Sequence, residues 1–187
     1  VYDVTTVANG QAAVNVIGQP NFGDSSLGTS QQKMSATNAI ALDPSDPWGY
    51  VVLAPNMIKT GRYREAIEET WRIQRKGMGP FYQMVAHVTR VVAYANLGEL
   101  ASAWHELHGA RGAGLDEPTA LSIEAYLAAV DGDLDRAREV LQGAESKALR
   151  HPEALWFLVE TAGYLGDAAG VARYLRAAEE RKADWVT

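Results

Sequence analysis

A glycine that returns at nearly constant spacing constrains the fold of this chain more than any other feature. Gly61, Gly98, Gly132 and Gly166 follow one another at nearly equal intervals. A small residue follows each glycine by five positions, and most units have apolar or small residues at nine and twelve. These spacings keep the residues on one face of a helix. A period of this length is typical of chains in which one supersecondary unit repeats.

Prolines follow the same period. Each unit has a proline where a helix is expected to begin, and proline is tolerated there because its missing N–H would have no partner. Each unit therefore predicts a helix A that ends at the glycine turn and a helix B that carries the small residue. The small side chains let the two helices approach closely. The prolines are Pro47, Pro80, Pro118 and Pro152, and the small residues are Ala66, Ala103, Ala137 and Val171.

The composition of the chain changes near residue 47. The first arginine is Arg62 and the first glutamate is Glu65, whereas the preceding part is rich in Asn, Gly, Ser and Thr. Arg and Glu favour helices, and the other four residue types favour turns and strands. We therefore predict two domains, a β-rich or extended segment over 1–46 and a helical domain over 47–187.

Three short strands are predicted in the first segment, at 1–7, 12–17 and 39–42. Asn9-Gly10 between the first two is typical of a tight hairpin turn. Residues 18–38 have no helical period and are expected to form an irregular loop.

The four units after residue 47 resemble the tetratricopeptide repeat family, over residues 47 to about 182. Repeat length, turn glycine, small residue and proline agree in register four times. The resemblance implies a mainly α fold, an α–α solenoid of about four helical hairpins. Two residues depart from the family pattern. Pro55 falls inside the first helix A, where it should kink the helix, and Glu124 stands where a large apolar residue is usual.

The segment 1–46 resembles a single NHL-type β-propeller repeat, through "VYDV", "NVIGQPNF" and "NAIALDPSD". One such unit is not a propeller, and a few strands alone are marginally stable in water, since their edges need a partner. Three arrangements remain open. The strands pack on the helices of their own chain, pair with a neighbouring subunit by strand exchange, or belong to a fragment of a larger protein.

The tetratricopeptide resemblance also implies which helix A residues line a concave face. This predicted row is mostly apolar and aromatic, and an apolar groove is either a binding site or a face already covered. Only Lys59 and Asn96 match the residues with which some family members grip a peptide carboxyl terminus. A register shifted by one residue would instead place part of the row in the core. The predicted protein-binding residues are Trp48, Val51, Ile58, Val88, Val92, Asn96, Tyr126, Trp156 and Tyr164.

Gly23-Asp24-Ser25 is similar to the nucleophile block of GDSL-type esterases. That chemistry needs a histidine base oriented by an aspartate. None of the four histidines has an aspartate three residues before it. A serine hydrolase using Ser25 is therefore an alternative that the sequence does not favour.

Two short patterns resemble metal sites but are incomplete. His105 and His108 have the helical spacing of two ligands, but Glu106 points to another side of the helix and no third ligand is evident. The run Asp131–Asp135 lacks the glycine and glutamate of a calcium loop, and Asp133 is better placed to cap a helix. We expect no metal, no cofactor and no catalytic residue.

The composition of the chain also limits the partners and the location that we expect for it. A net charge of −6 does not favour nucleic acid as a partner, and no apolar run approaches the ~18 residues of a membrane span. The absence of cysteine favours an extracytoplasmic over a cytoplasmic location. We predict a non-enzymatic module for protein–protein interaction or self-assembly, which binds a protein or peptide and forms homo-oligomers through its N-terminal segment. The alternative is a regulatory appendage of a larger enzyme or signalling protein.

Overall fold

A computed structural model of the chain describes residues 47–75, 77 and 79–181, without the side chains of 47–51 and 73. The chain divides into two units, Val1–Leu53 and Ala54–Thr187. The predicted strands and loop of segment 1–46 lie outside the described residues, so that segment and its boundary after residue 46 stay predictions.

All regular structure in the described residues is α-helical, with eight helices and no strand, which confirms the mainly α class for this part of the chain. Prolines begin three of the helices and occupy the second position of a fourth, as the sequence predicts. The helices are α1 (Pro47–Lys59), α2 (Tyr63–Arg75), α3 (Pro80–Asn96), α4 (Leu100–Gly112), α5 (Glu117–Val130), α6 (Leu134–Ala148), α7 (Pro152–Tyr164) and α8 (Ala168–Glu180).

The four repeated glycines end α1, α3, α5 and α7 in the same way. Their φ angles lie between 69° and 85°, in the left-handed region that L side chains rarely adopt. The residue after each glycine donates its N–H back to a carbonyl five residues earlier, as from Glu99 to Tyr94 at 2.9 Å. This bond is the helix-ending pattern that satisfies a free carbonyl of the last turn. The glycine period therefore marks four equivalent turns.

An aspartate precedes three of the helices and caps their first turn. Asp133 accepts a hydrogen bond from the N–H of Arg136 at 3.1 Å, which confirms that it caps α6. Asp167 accepts from the N–H of Gly170 at 2.9 Å in α8, and Asp116 caps α5 in the same way. Such caps satisfy N–H groups that a helix leaves free.

Helices on either side of a turn pack together, as α3 with α4, α5 with α6, and α7 with α8. The small residues predicted at the contacts, Ala66, Ala103 and Ala137, are each 0% exposed, whereas Val171 in the last pair is half-buried. Further contacts join α2 with α3, α4 with α5, and α7 with both α5 and α6. Each helix pair in this part of the chain thus packs on the next.

Two apolar clusters form most of the described core. The first contains Val91, Leu107, Ile123 and Phe157 and so joins α3, α4, α5 and α7. The second is centred on α6, α7 and α8. Pro55 lies inside α1, which continues beyond it to Lys59.

Glu124 departs from the repeat pattern because it binds two arginines. Its two carboxylate oxygens lie 3.0 Å from Nη2 of Arg111 in α4 and 3.0 Å from Nη2 of Arg136 in α6. Burial alone would raise the pKa of Glu124, but the hydrogen bonds from both guanidinium groups outweigh it and hold that pKa below its ordinary value. A polar clamp therefore occupies a position where the sequence pattern led us to expect apolar packing.

Candidate interaction surface

Five members of the predicted row gather around the first core cluster. Ile58, Val88 and Trp156 are half-buried and pack against it, while Val92 and Tyr126 belong to it and are 7% and 3% exposed. These residues come from α1, α3, α5 and α7, so the row brings together side chains from every helix A.

Two of the remaining members of the row face solvent. Asn96 is exposed, and Tyr164 is 52% exposed. The side chains of Trp48 and Val51 lie outside the described part of the chain. The solvent-facing surface of the row therefore comes from the half-buried residues together with Asn96 and Tyr164. Val92 and Tyr126 are buried in the core and contribute little to that surface.

Aromatic rings stack along this row between α5 and α7. The ring centroid of Tyr126 lies 5.7 Å from that of Trp156, 5.8 Å from Phe157 and 6.3 Å from Tyr164. Trp156 and Phe157 meet edge to face at 4.8 Å. Such pairs contribute about 0.5–1.5 kcal/mol each beyond the burial of apolar area. Sequence reasoning missed Phe157, although its apolar character beside Trp156 was a usable signal.

Burial raises the pKa of two polar groups at this aromatic cluster. Burial raises the pKa of the Tyr126 hydroxyl, the nearby Tyr164 and Glu160 raise it further, and a hydrogen bond from Asn96 opposes them. Burial also raises the pKa of the Glu160 carboxyl. The row is therefore apolar with one acidic group beside it.

A second polar cluster, which the sequence did not predict, lies where α3 meets α4. Glu106 Oε2 is 2.6 Å from Nδ1 of His87 and 2.8 Å from Nη2 of Arg90. The Arg90 side chain is fully buried and Glu106 nearly so. Burial opposes the charge of Glu106, but the bonds from His87 and Arg90 hold its pKa below the ordinary value.

Two further contacts enclose this buried cluster. The guanidinium of Arg90 stacks 4.2 Å from the ring centroid of Trp71 in α2, a cation–π contact. Nε2 of His87 lies 3.3 Å from Nε2 of Gln74. Nε and Nη1 of Arg90 are buried without a hydrogen-bond partner among the described residues. The cluster ties α2, α3 and α4 together through charge and so has a structural explanation.

The candidate chemical groups of the sequence do not assemble into a site within the described residues. His105 and His108 are exposed on α4 while Glu106 between them is buried, so Glu106 does point away from them. No group of three or more His, Asp or Glu side chains that could hold a metal ion occurs among the residues searched. Gly23, Asp24 and Ser25 lie outside the described part of the chain.

Comparisons with known proteins add no relative. No family model, no curated protein and no solved structure matches the chain. The resemblances to the tetratricopeptide and NHL repeats therefore rest on the residues quoted for them. No helix in the described part of the chain is both long enough and apolar enough to span a bilayer.

Proposed function

We propose that this chain is a non-enzymatic binding module in which a tetratricopeptide-like solenoid holds an apolar segment along its row of helix A residues. One observation carries the proposal. Side chains from four successive helices A pack around a single apolar cluster, and the row still exposes Trp156 in part and Tyr164 by half. Large, rigid aromatics of this kind often dominate the energy of an interface.

The proposed occupant of the row is the segment 1–46 of a neighbouring copy. This segment has three predicted strands, whose edges need a partner. The row offers an apolar surface to such a segment. Exchange of a terminal segment between copies is a common route to homo-oligomers, because both parts already exist in every chain.

Solution mass tests this proposal on the full chain. Sedimentation equilibrium should give a multiple of the chain mass of 20.3 kDa, and a synthetic peptide of residues 1–46 in excess should reduce it to the mass of one chain with bound peptide. Asn96→Lys places a bulky charge on the row and should weaken the association at least tenfold. Gln142→Lys, at an exposed position of α6, is the matched control and should leave the mass unchanged.

Two results would overturn the proposal. One is a full-length chain that keeps the mass of a monomer up to high concentration and does not bind the 1–46 peptide. The other is an association that Asn96→Lys and Gln142→Lys affect equally. Circular dichroism on each variant shows whether the helices have formed before the masses are compared.

A further inference from the structure

The last helix pair exposes positions that the preceding pair buries. Leu141 in α6 is 8% exposed, whereas Leu175, its counterpart one repeat later in α8, is 39% exposed. Ala137 in α6 is 0% exposed, and Val171 at the corresponding position is half-buried. The residues are of similar apolar character, so the difference lies in what covers them.

Packing explains the difference. Helix α7 contacts both α5 and α6, and Leu141 packs in one cluster with residues of α7. Ala137 packs with Ala128 and Ala129 of α5 and with Leu165, which follows α7. Helix α8 packs on α7 and also bonds to Glu145 of α6 through Arg173 and Tyr174. No further helix in the described part of the chain covers α7 and α8 as α7 covers the preceding pair. The chain therefore repeats the surface that receives a helix A but leaves this copy of it open.

A pocket lies on the open face. It has a volume of about 380 Å³ and is lined by Val159, Glu160, Gly163 and Tyr164 of α7 and by Val171 of α8. A Cβ atom added at Gly163 would have nothing within 4 Å, so its position faces open space. Together with Leu175, these residues are called the end surface. Of the residues named for the predicted row it contains Tyr164, and Glu160 and Gly163 stand at helix A positions that were predicted to line the same face.

Glu160 gives the end surface its charge. It is the acidic residue of the pocket and is half-buried. Its carboxylate has no ion pair or hydrogen bond among the residues that the structure describes. A partly buried carboxylate without a partner favours a ligand that brings a cation to it.

We propose that the end surface binds an amphipathic helix of another polypeptide, whose apolar face covers Val159, Val171 and Leu175 and whose Lys or Arg pairs with Glu160. The net charge of −6 attracts a basic partner. A second copy bound symmetrically is a poorer occupant, because that contact brings two Glu160 carboxylates together. This interaction is additional to the binding proposed for the row.

A peptide derived from α7, the helix that covers α5 and α6, is the probe for this proposal. Tyr126 occupies in the preceding repeat the position that Glu160 occupies in the last one, and it is covered by Trp156 at 5.7 Å between ring centroids. A labelled peptide with the sequence of residues 152–165 and the change Trp156→Lys therefore places a cation opposite Glu160. The same peptide with Trp156→Glu is the matched control.

Fluorescence anisotropy on the full chain should show that the lysine peptide binds at least tenfold more tightly than the glutamate peptide. The order should reverse in the variant Glu160→Lys. Leu175→Glu should weaken both peptides at least tenfold, whereas Gln142→Glu at an exposed site of α6 should weaken neither. Because Glu160 and Leu175 are not buried, both variants should keep the circular dichroism of the original chain.

Several outcomes would overturn the proposal. They are equal affinity for the two peptides, an order of affinity that Glu160→Lys does not change, and no binding of either peptide. A solution mass that falls to that of a monomer in Leu175→Glu would show that a second copy covers the end surface instead. Asn96→Lys does not alter the end surface, so failure here is distinguishable from failure of binding at the row.

Discussion

Gly109 occupies an interior position of α4, where alanine usually stabilises a helix more than glycine does. An ideal Cβ at this position would lie 2.6 Å from Nδ1 and 3.1 Å from Nε2 of His87. The missing side chain therefore makes room for the imidazole ring that binds Glu106. A methyl group at this position would force the His87 ring to move.

We expect Gly109→Ala to lower the free energy of unfolding by about 1–3 kcal/mol, because the added methyl overpacks the site and displaces His87. Gly143→Ala is the control. Gly143 lies inside α6 and an added Cβ there would have nothing within 4 Å, so this change should raise the free energy by about 0.5–1 kcal/mol. Urea unfolding followed by circular dichroism measures both.

A double substitution identifies the cause. In a His87→Ala background the ring is absent, so adding Gly109→Ala should no longer destabilise the chain. If Gly109→Ala costs the same with and without the imidazole ring, the proposed role of His87 is wrong.

At the scale of elements, the contact between a helix A and its helix B depends on the alanines five residues after each turn. Ala103 is 0% exposed where α4 packs on α3, whereas Ala101, two residues earlier, is exposed. The two residues share one helix and one residue type but differ in whether a neighbouring helix lies against them.

Leucine substitutions at Ala103 and Ala101 test whether the neighbouring helix packs closely at Ala103. Ala103→Leu should lower the free energy of unfolding by about 1–3 kcal/mol, because the larger side chain forces the two helices apart. Ala101→Leu should change it by less than about 0.5 kcal/mol, since leucine is also a good helix former and the site is exposed. Equal effects of the two substitutions in a denaturant titration would contradict close packing at Ala103.

Helix ends and helix faces of this kind are readable from the sequence. The turn glycines, the prolines at helix starts, the cap at Asp133 and the buried Ala103 and Ala137 follow from local backbone chemistry and helical spacing. The cluster of His87, Arg90 and Glu106 does not, because it depends on which residues of two helices meet after packing. The aromatic cluster was found in part, as Tyr126 and Trp156 but without Phe157, for the same reason.

At the scale of the whole molecule, the buried Glu106 and the half-buried Glu160 make stability depend on pH in two opposite ways. The folded chain lowers the pKa of Glu106 below its ordinary value of 4.5 and raises that of Glu160 above it. Glu106 therefore stabilises the fold above pH 4.5, and this contribution is lost as pH falls through its folded pKa. Ionised Glu160 destabilises the fold near neutral pH, and that penalty disappears as pH falls through its raised pKa.

Glu106→Gln should lower the free energy of unfolding by about 3 kcal/mol at pH 7, because it leaves the buried Arg90 without a charged partner. The difference should shrink between pH 4.5 and pH 3, where the original carboxylate gains a proton. Glu139→Gln, at an exposed position, is the control. Urea titrations from pH 3 to pH 7 measure the effect, and a difference that grows towards pH 3 would contradict it.

Glu160→Gln belongs to the same series and should have the opposite sign. It should raise the free energy of unfolding at pH 7 and have no effect at pH 3, where both side chains are neutral. A loss of stability at pH 7 would show that the Glu160 carboxylate has a stabilising partner in the folded chain.

The clamp on Glu124 has a consequence for alignment. Its carboxylate binds Arg111 of α4 and Arg136 of α6, and the Arg136 guanidinium also lies 5.2 Å from the ring centroid of Trp104 in α4. If the pair α3–α4 slid along the pair α5–α6 by a single turn, about 5.4 Å, Glu124 would lose Arg111 and Arg136 would lose the Trp104 ring, while the ion pair of Glu124 with Arg136 would remain. Apolar stripes of small residues tolerate such a shift more easily, so the two contacts that cross from α4 to the pair α5–α6 favour a single alignment of the neighbouring pairs.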